Sequence, residues 1–133
     1  MRTTARETAF KILFSTQFNE EYEYTKRSAY SFEKLDESDV TYCNDIIKCV
    51  LDHKAELTKI IDKHSKQFPE SRLFCADRSI LLIAIAEILY FDDIPSAVSV
   101  NEAANIASKY SSEKSATFIS GILSDIIKEH DNV

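Results

Sequence analysis

At 133 residues, with 44% apolar and 29% charged side chains, the chain has the balance of one folded domain and not of a disordered segment. One glycine and two prolines speak against a turn-rich β architecture, and a net charge of −6 speaks against wholesale nucleic-acid binding. Three cysteines without CxxC or CxxH spacing make disulfide and zinc frameworks weak readings and predict free thiols.

Apolar spacing predicts an all-α fold of about seven helices in a single domain spanning 1–133. Thr3 or Thr4 caps a first helix running to about Phe18, with Ala5, Ala9, Ile12, Leu13 and Thr16 on one face. Met1–Lys11 lacks the apolar core of a signal peptide. After the acidic stretch 19–24, a short helix is expected near Thr25–Phe32. Ser38 or Asp39 opens the third helix, whose Val40, Cys43, Ile46, Ile47, Val50 and Leu51 recur at three–four spacing.

The fourth helix runs from about Lys54 to Gln67, with Leu57, Ile60, Ile61 and His64 turned inward. Phe68-Pro69 ends it, because a residue before proline is pushed out of the α region. Cys49 and His53, four apart on one face, could form half a metal site, but no second pair completes it. The fifth helix, from Arg72 or Cys75 to Phe91, is apolar on nearly every side and is therefore expected at the centre of the core. Its run Ile80–Phe91 is interrupted by Glu87 and is too short to span a bilayer, so a cytoplasmic protein with no membrane partner is expected.

Asp92–Pro95 breaks that helix. Ser99-Val100-Asn101-Glu102 has the form of a capping box, in which the Ser99 hydroxyl takes the Glu102 amide and the Glu102 carboxylate returns to the Ser99 amide. Ala104, Ile106, Ala107 and Tyr110 complete the apolar face that follows. The last helix, about Lys114 to Glu129, carries the only glycine, Gly121, in its interior. A glycine there costs about 1 kcal/mol relative to alanine, and close approach of another backbone is the expected compensation.

Charge is uneven. Residues 1–18 carry three basic side chains against one acid, whereas 19–64 hold eleven acids against seven bases. Arg2 and Arg6 share a face at a helix N-terminus, where basic groups oppose the helix dipole; phosphate contact is one reason for them and simple solvation the other. Phe10, Phe14 and Phe18 form a stripe away from the alanine face. Such a stripe either packs under a second helical layer or stacks on unpaired bases. No Ser/His/Asp or Cys/His motif, GxGxxG or P-loop is present, and no second carboxyl is placed beside Asp77 or Glu87, so neither catalysis nor a cofactor is expected.

Four strings resemble the NusB family: Ala5-Arg6-Glu7-Thr8-Ala9 with the apolar residues after it, Asp77 through Glu87, Pro95 through Val100-Asn101-Glu102-Ala103, and Phe118-Ile119-Ser120-Gly121-Ile122-Leu123. Their order and spacing hold over nearly the whole chain. The resemblance implies two packed three-helix subdomains around the central helix. It also implies a transcription antitermination factor that binds boxA RNA jointly with NusE, a small-subunit ribosomal protein, and seeds an assembly on RNA polymerase.

It further implies an RNA face of Arg2, Arg6, Lys11, Phe14, Lys114 and Phe118, with Lys109 nearby, and a partner face that includes Asp77 and Glu87. Thr3 and Thr4 stand where the family often carries basic residues, Ser120 stands for an asparagine, and Leu82 and Ala86 stand for an arginine and a tyrosine. These departures point to weaker RNA affinity or altered partner contacts. The competing expectation is a helical adaptor or oligomer of the same fold with weak or no RNA binding. Monomer and homodimer are both open at this point.

Overall fold

The computed structural model describes residues 2–16, 35–65 and 75–131, and these form six α-helices with no strand among them. In chain order they are α1 (Arg2–Thr16), α2 (Glu37–Asp52), α3 (Lys54–His64), α4 (Cys75–Tyr90), α5 (Ser96–Tyr110) and α6 (Glu113–Asp131). The helix expected near Thr25–Phe32, residue Phe18 and the stop at Phe68-Pro69 lie outside the described residues. No helix among the described residues is long and apolar enough to cross a membrane.

α4 is the centre, as its all-round apolar surface requires. Every residue from Ser79 to Ile88 is buried, and α4 touches all five other helices. α1 packs on α2, α5 packs on α6, and α3 closes under α4 and α6. Ile12, Ile46, Leu57, Ile85, Ile119 and Leu123, drawn from α1, α2, α3, α4 and α6, meet in one cluster with no side-chain exposure. Burying each such side chain contributes about 1.5–3 kcal/mol relative to leaving it in water.

Helix starts are set by local chemistry. Asp36 caps α2 through a 2.8 Å bond accepted from the Asp39 amide, so the helix begins ahead of the Ser38 or Asp39 start suggested by the sequence. Ser112 does the same for α6, accepting from the Ser115 amide at 3.0 Å. The expected capping box at Ser99 does not form. Pro95, with φ −61° already suited to a helix entry, caps α5 four residues earlier, and its carbonyl accepts from the amides of Val98 (3.0 Å) and Ser99 (3.4 Å). With the Ser99 amide already taken, Glu102 has no orphan donor to return to, and its carboxylate turns to α1 instead.

Gly121 also departs from expectation. It is exposed, and a Cβ built on it would meet nothing within 4 Å, so no neighbouring backbone compensates for the missing side chain. Gly121→Ala should therefore stabilise the fold by about 1 kcal/mol. A urea melt with a raised midpoint and an unchanged slope is the expected record.

Candidate nucleic-acid interface

α1 has two faces with different occupations. On the inner one, Arg6 is only 3% exposed and donates from Nε to Glu87 Oε2 of α4 at 2.7 Å. Its Nη1 lies 3.6 Å from Glu102 Oε1 of α5, which also accepts from the Thr3 hydroxyl at 2.9 Å. The group thus ties three helices together. Burial pushes the Glu87 carboxyl above the usual carboxylate range, and the Arg6 guanidinium offsets only part of that push.

Glu87 on its apolar face requires a partner, and it has one. Arg6, expected at RNA phosphate, and Glu87, expected at a protein partner, are both inside the molecule and engaged with each other. Asp77, expected at the partner face, is also inside. It is 4% exposed in the first turn of α4, and its Oδ2 accepts from the Ser115 hydroxyl of α6 at 3.0 Å. The Ser111 and Ser112 hydroxyls donate in turn to Ser115 Oγ at 2.9 and 3.2 Å. Asp77 therefore fixes the start of α6 against the start of α4, and its acid also suits the positive end of the helix dipole.

The outer face of α1 meets the end of α5. Phe10 is buried, with its ring 6.0 Å from Phe14 and 5.3 Å from Tyr110. Of the two sequence readings of the stripe, Phe10 follows the packing one, while Phe14 is half-buried. Tyr110 is 37% exposed, and the ammonium groups of Lys11 and Lys109 lie 5.7 and 5.3 Å from its ring centre.

Glu7 holds this group together, accepting from Lys109 at 2.8 Å and from the Tyr110 hydroxyl, with Lys11 at 3.9 Å. Burial pushes the Glu7 carboxyl up, but the hydrogen bonds from Lys109 and Tyr110 and the two nearby ammonium charges outweigh it and hold Glu7 below the ordinary range. An exposed aromatic beside cations is the chemistry that stacks bases and neutralises phosphates.

The remaining predicted residues lie on α6 and at the start of α1. Lys114, exposed, and Phe118, half-buried against the core, stand on α6 just past the two-residue turn Ser111-Ser112 that ends α5. Arg2 is exposed on α1, with its guanidinium 4.5 Å from the Tyr42 ring and 3.9 Å from Asp93. Sequence reasoning missed Tyr110, placing it on the apolar face of α5. Phe10 and Tyr110 are joined only by the packing of α1 on α5, and no local pattern carries that contact.

Elsewhere, an open groove of about 610 Å³ between the starts of α1 and α2 is lined by Arg2, Asp36, Glu37, Thr41, Tyr42 and Asp45. Among the described residues no group of three His, Cys, Asp or Glu side chains is placed to hold a metal ion. Cys49 and His53 approach to 3.8 Å without a third such group, and Cys43, Cys49 and Cys75 are free thiols.

Comparison with known proteins gives a consistent result. The model of the NusB family matches residues 3–128. The chain is 30% identical over 132 residues to the transcription antitermination protein NusB of Finegoldia magna, covering 98% of this chain and 96% of that protein. It is 38% identical over 141 residues to the protein of the same name from Clostridium botulinum, covering 95% and 99%. A chain in a crystal structure of the antitermination factors NusB and NusE in complex with dsRNA superposes with a TM-score of 0.87 at 24% identity, covering 96% of each. At that identity the likeness speaks for the fold alone.

Proposed function

The chain belongs to the NusB family, and from that premise we propose that it is a cytoplasmic transcription antitermination factor, binding boxA-like single-stranded RNA together with NusE. In this role it seeds an antitermination complex on RNA polymerase during rRNA transcription and catalyses no reaction. The observation that carries the reading is the aromatic corner where Lys11 and Lys109 flank the exposed Tyr110 ring, which packs on Phe10.

Arg2, Lys11, Phe14, Lys114 and Phe118 form the RNA face, and Arg6 stands behind it as the buried tie that sets the position of α1. An acidic chain suits a basic ribosomal-protein partner, and Asp36, Glu37 and Asp45 at the α2 groove offer surface acids that Asp77 and Glu87 do not.

A salt series of boxA RNA binding, with and without NusE, tests the proposal. Each phosphate contact on a single strand should contribute about 0.7 to the slope of log K against log salt, so Lys114→Ala should lower the slope by about that amount. Phe118→Ala should weaken binding by about 1–3 kcal/mol at fixed salt. A duplex of the same sequence is the second arm, because the similar solved complex contains dsRNA. Equal binding of boxA and scrambled RNA, even with NusE present, would sink the reading and leave the helical adaptor in its place.

A further inference from the structure

We propose that the seam between α4 and α5 holds one ordered water molecule, bound by Ser99 Oγ, Glu102 Oε2 and the Glu87 carboxylate behind Arg6. The site concerns how the fold seats α1, and it stands whether or not the chain binds RNA.

A serine or threonine inside a helix commonly returns its hydroxyl to the carbonyl four residues back. Ser79 does so to Cys75 and Thr8 to Thr4, each at 2.9 Å. Ser99 does not. It is 1% exposed, and its Oγ has no hydrogen-bond partner in the protein. Burial raises the Glu87 carboxyl and Arg6 offsets part of that rise; the Ser99 hydroxyl adds a smaller pull the same way without reaching a bond of ordinary length.

Glu102 repeats the pattern. Its Oε1 meets the Thr3 hydroxyl and the Arg6 guanidinium, while its Oε2 is buried and has no donor. A buried hydroxyl and a buried carboxylate oxygen both weigh against the fold unless a third group joins them.

Both side chains line the same cavity, which lies between Arg6 of α1, Ile83 and Glu87 of α4, and Ser99, Glu102 and Ile106 of α5. Its volume is about 10 Å³, at the threshold where a polar cavity takes a single water. Water there accepts from the Ser99 hydroxyl and donates to Glu102 and Glu87, which makes the about three bonds usual for a buried water.

The charges favour the same guest. Two carboxylates face one guanidinium, so donors are scarce, and water brings two. A metal cation would stand beside the buried Arg6 guanidinium, with three side chains to supply the roughly six oxygens that a hard cation takes. The water bridge fixes both carboxylates that receive Arg6, and so it seats α1 on α4 and α5.

A high-resolution crystal structure of the full chain, grown with rubidium chloride as the salt, tests the site. The expected result is a density peak within hydrogen-bond distance of Ser99 Oγ and Glu102 Oε2, with no anomalous rubidium signal. In solution, oxygen-17 relaxation dispersion should count one long-lived water fewer in Ser99→Ala than in the parent. The urea midpoint of that variant should fall, although alanine is the better helix former, because the bridge loses an arm.

An anomalous peak would make the occupant a cation and overturn the proposal. A parent crystal with no density in the cavity would also overturn it. So would a raised midpoint for Ser99→Ala, the result expected when an unsatisfied buried hydroxyl is simply removed. The parent crystal needs no variant, so it decides even where Ser99→Ala does not fold.

Discussion

Replacing Arg6 with alanine is expected to cost the fold about 3–5 kcal/mol, because it strands Glu87 as an uncompensated buried carboxylate. Glu87 is 1% exposed and Arg6 is its partner at 2.7 Å, so water cannot replace the lost guanidinium without opening the junction of α1, α4 and α5. The loss should depend on pH with a defined sign. The folded-state pKa of Glu87 is already raised by burial, so its contribution to stability is greatest when it is protonated and is lost as pH rises through that pKa.

Without Arg6 the pKa climbs further, so Glu87 of the variant takes up a proton on folding over a wider pH range and the variant loses stability more steeply as pH rises. Urea midpoints of parent and variant should therefore draw together as pH falls from about 8 to about 5. A gap that stays constant over that range would contradict the buried pair as the cause. While folded, the variant should keep the salt slope of RNA binding, since Arg6 offers its charge to Glu87 and not to phosphate.

The companion experiment is Ile85→Ala, for which a loss of about 2–5 kcal/mol is expected. Ile85 has no exposed surface at the middle of α4, and the surrounding helices cannot collapse far into the space it vacates. This loss arises from apolar transfer and a residual cavity, so it should be indifferent to pH over the same range. The two variants are close in magnitude and differ in what the proton does, so the pair separates electrostatic from packing failure. A pH-dependent Ile85→Ala gap would mean that the cavity disturbs the Arg6–Glu87 junction as well.

What the sequence made legible was local. The all-round apolar surface of α4 could belong only to a central helix, and Glu87 on that surface had to be paired. The name of its partner was not available, because Arg6 lies 81 positions away and ordinary helix periodicity says nothing about which faces of distant helices meet. The same limit hid the partner of Asp77 within the fold, the Ser115 hydroxyl that its carboxylate accepts from. Ser99 and Glu102 have the spacing of a capping box, yet Pro95 opens the helix earlier and removes the need for one. Phe118 could be named as a candidate contact from its own string, whereas the packing of Tyr110 on Phe10 became visible only when α1 and α5 were seen together.

A helix that touches every other helix also governs how the molecule opens. Any partial unfolding that frees α4 must detach all five neighbours, so its amides should exchange with solvent only through global unfolding. Peripheral turns can fray without that penalty. The proposed RNA face lies on helices that rest on this slow-exchanging spine, so binding there would reinforce the whole cooperative unit and not order one corner alone.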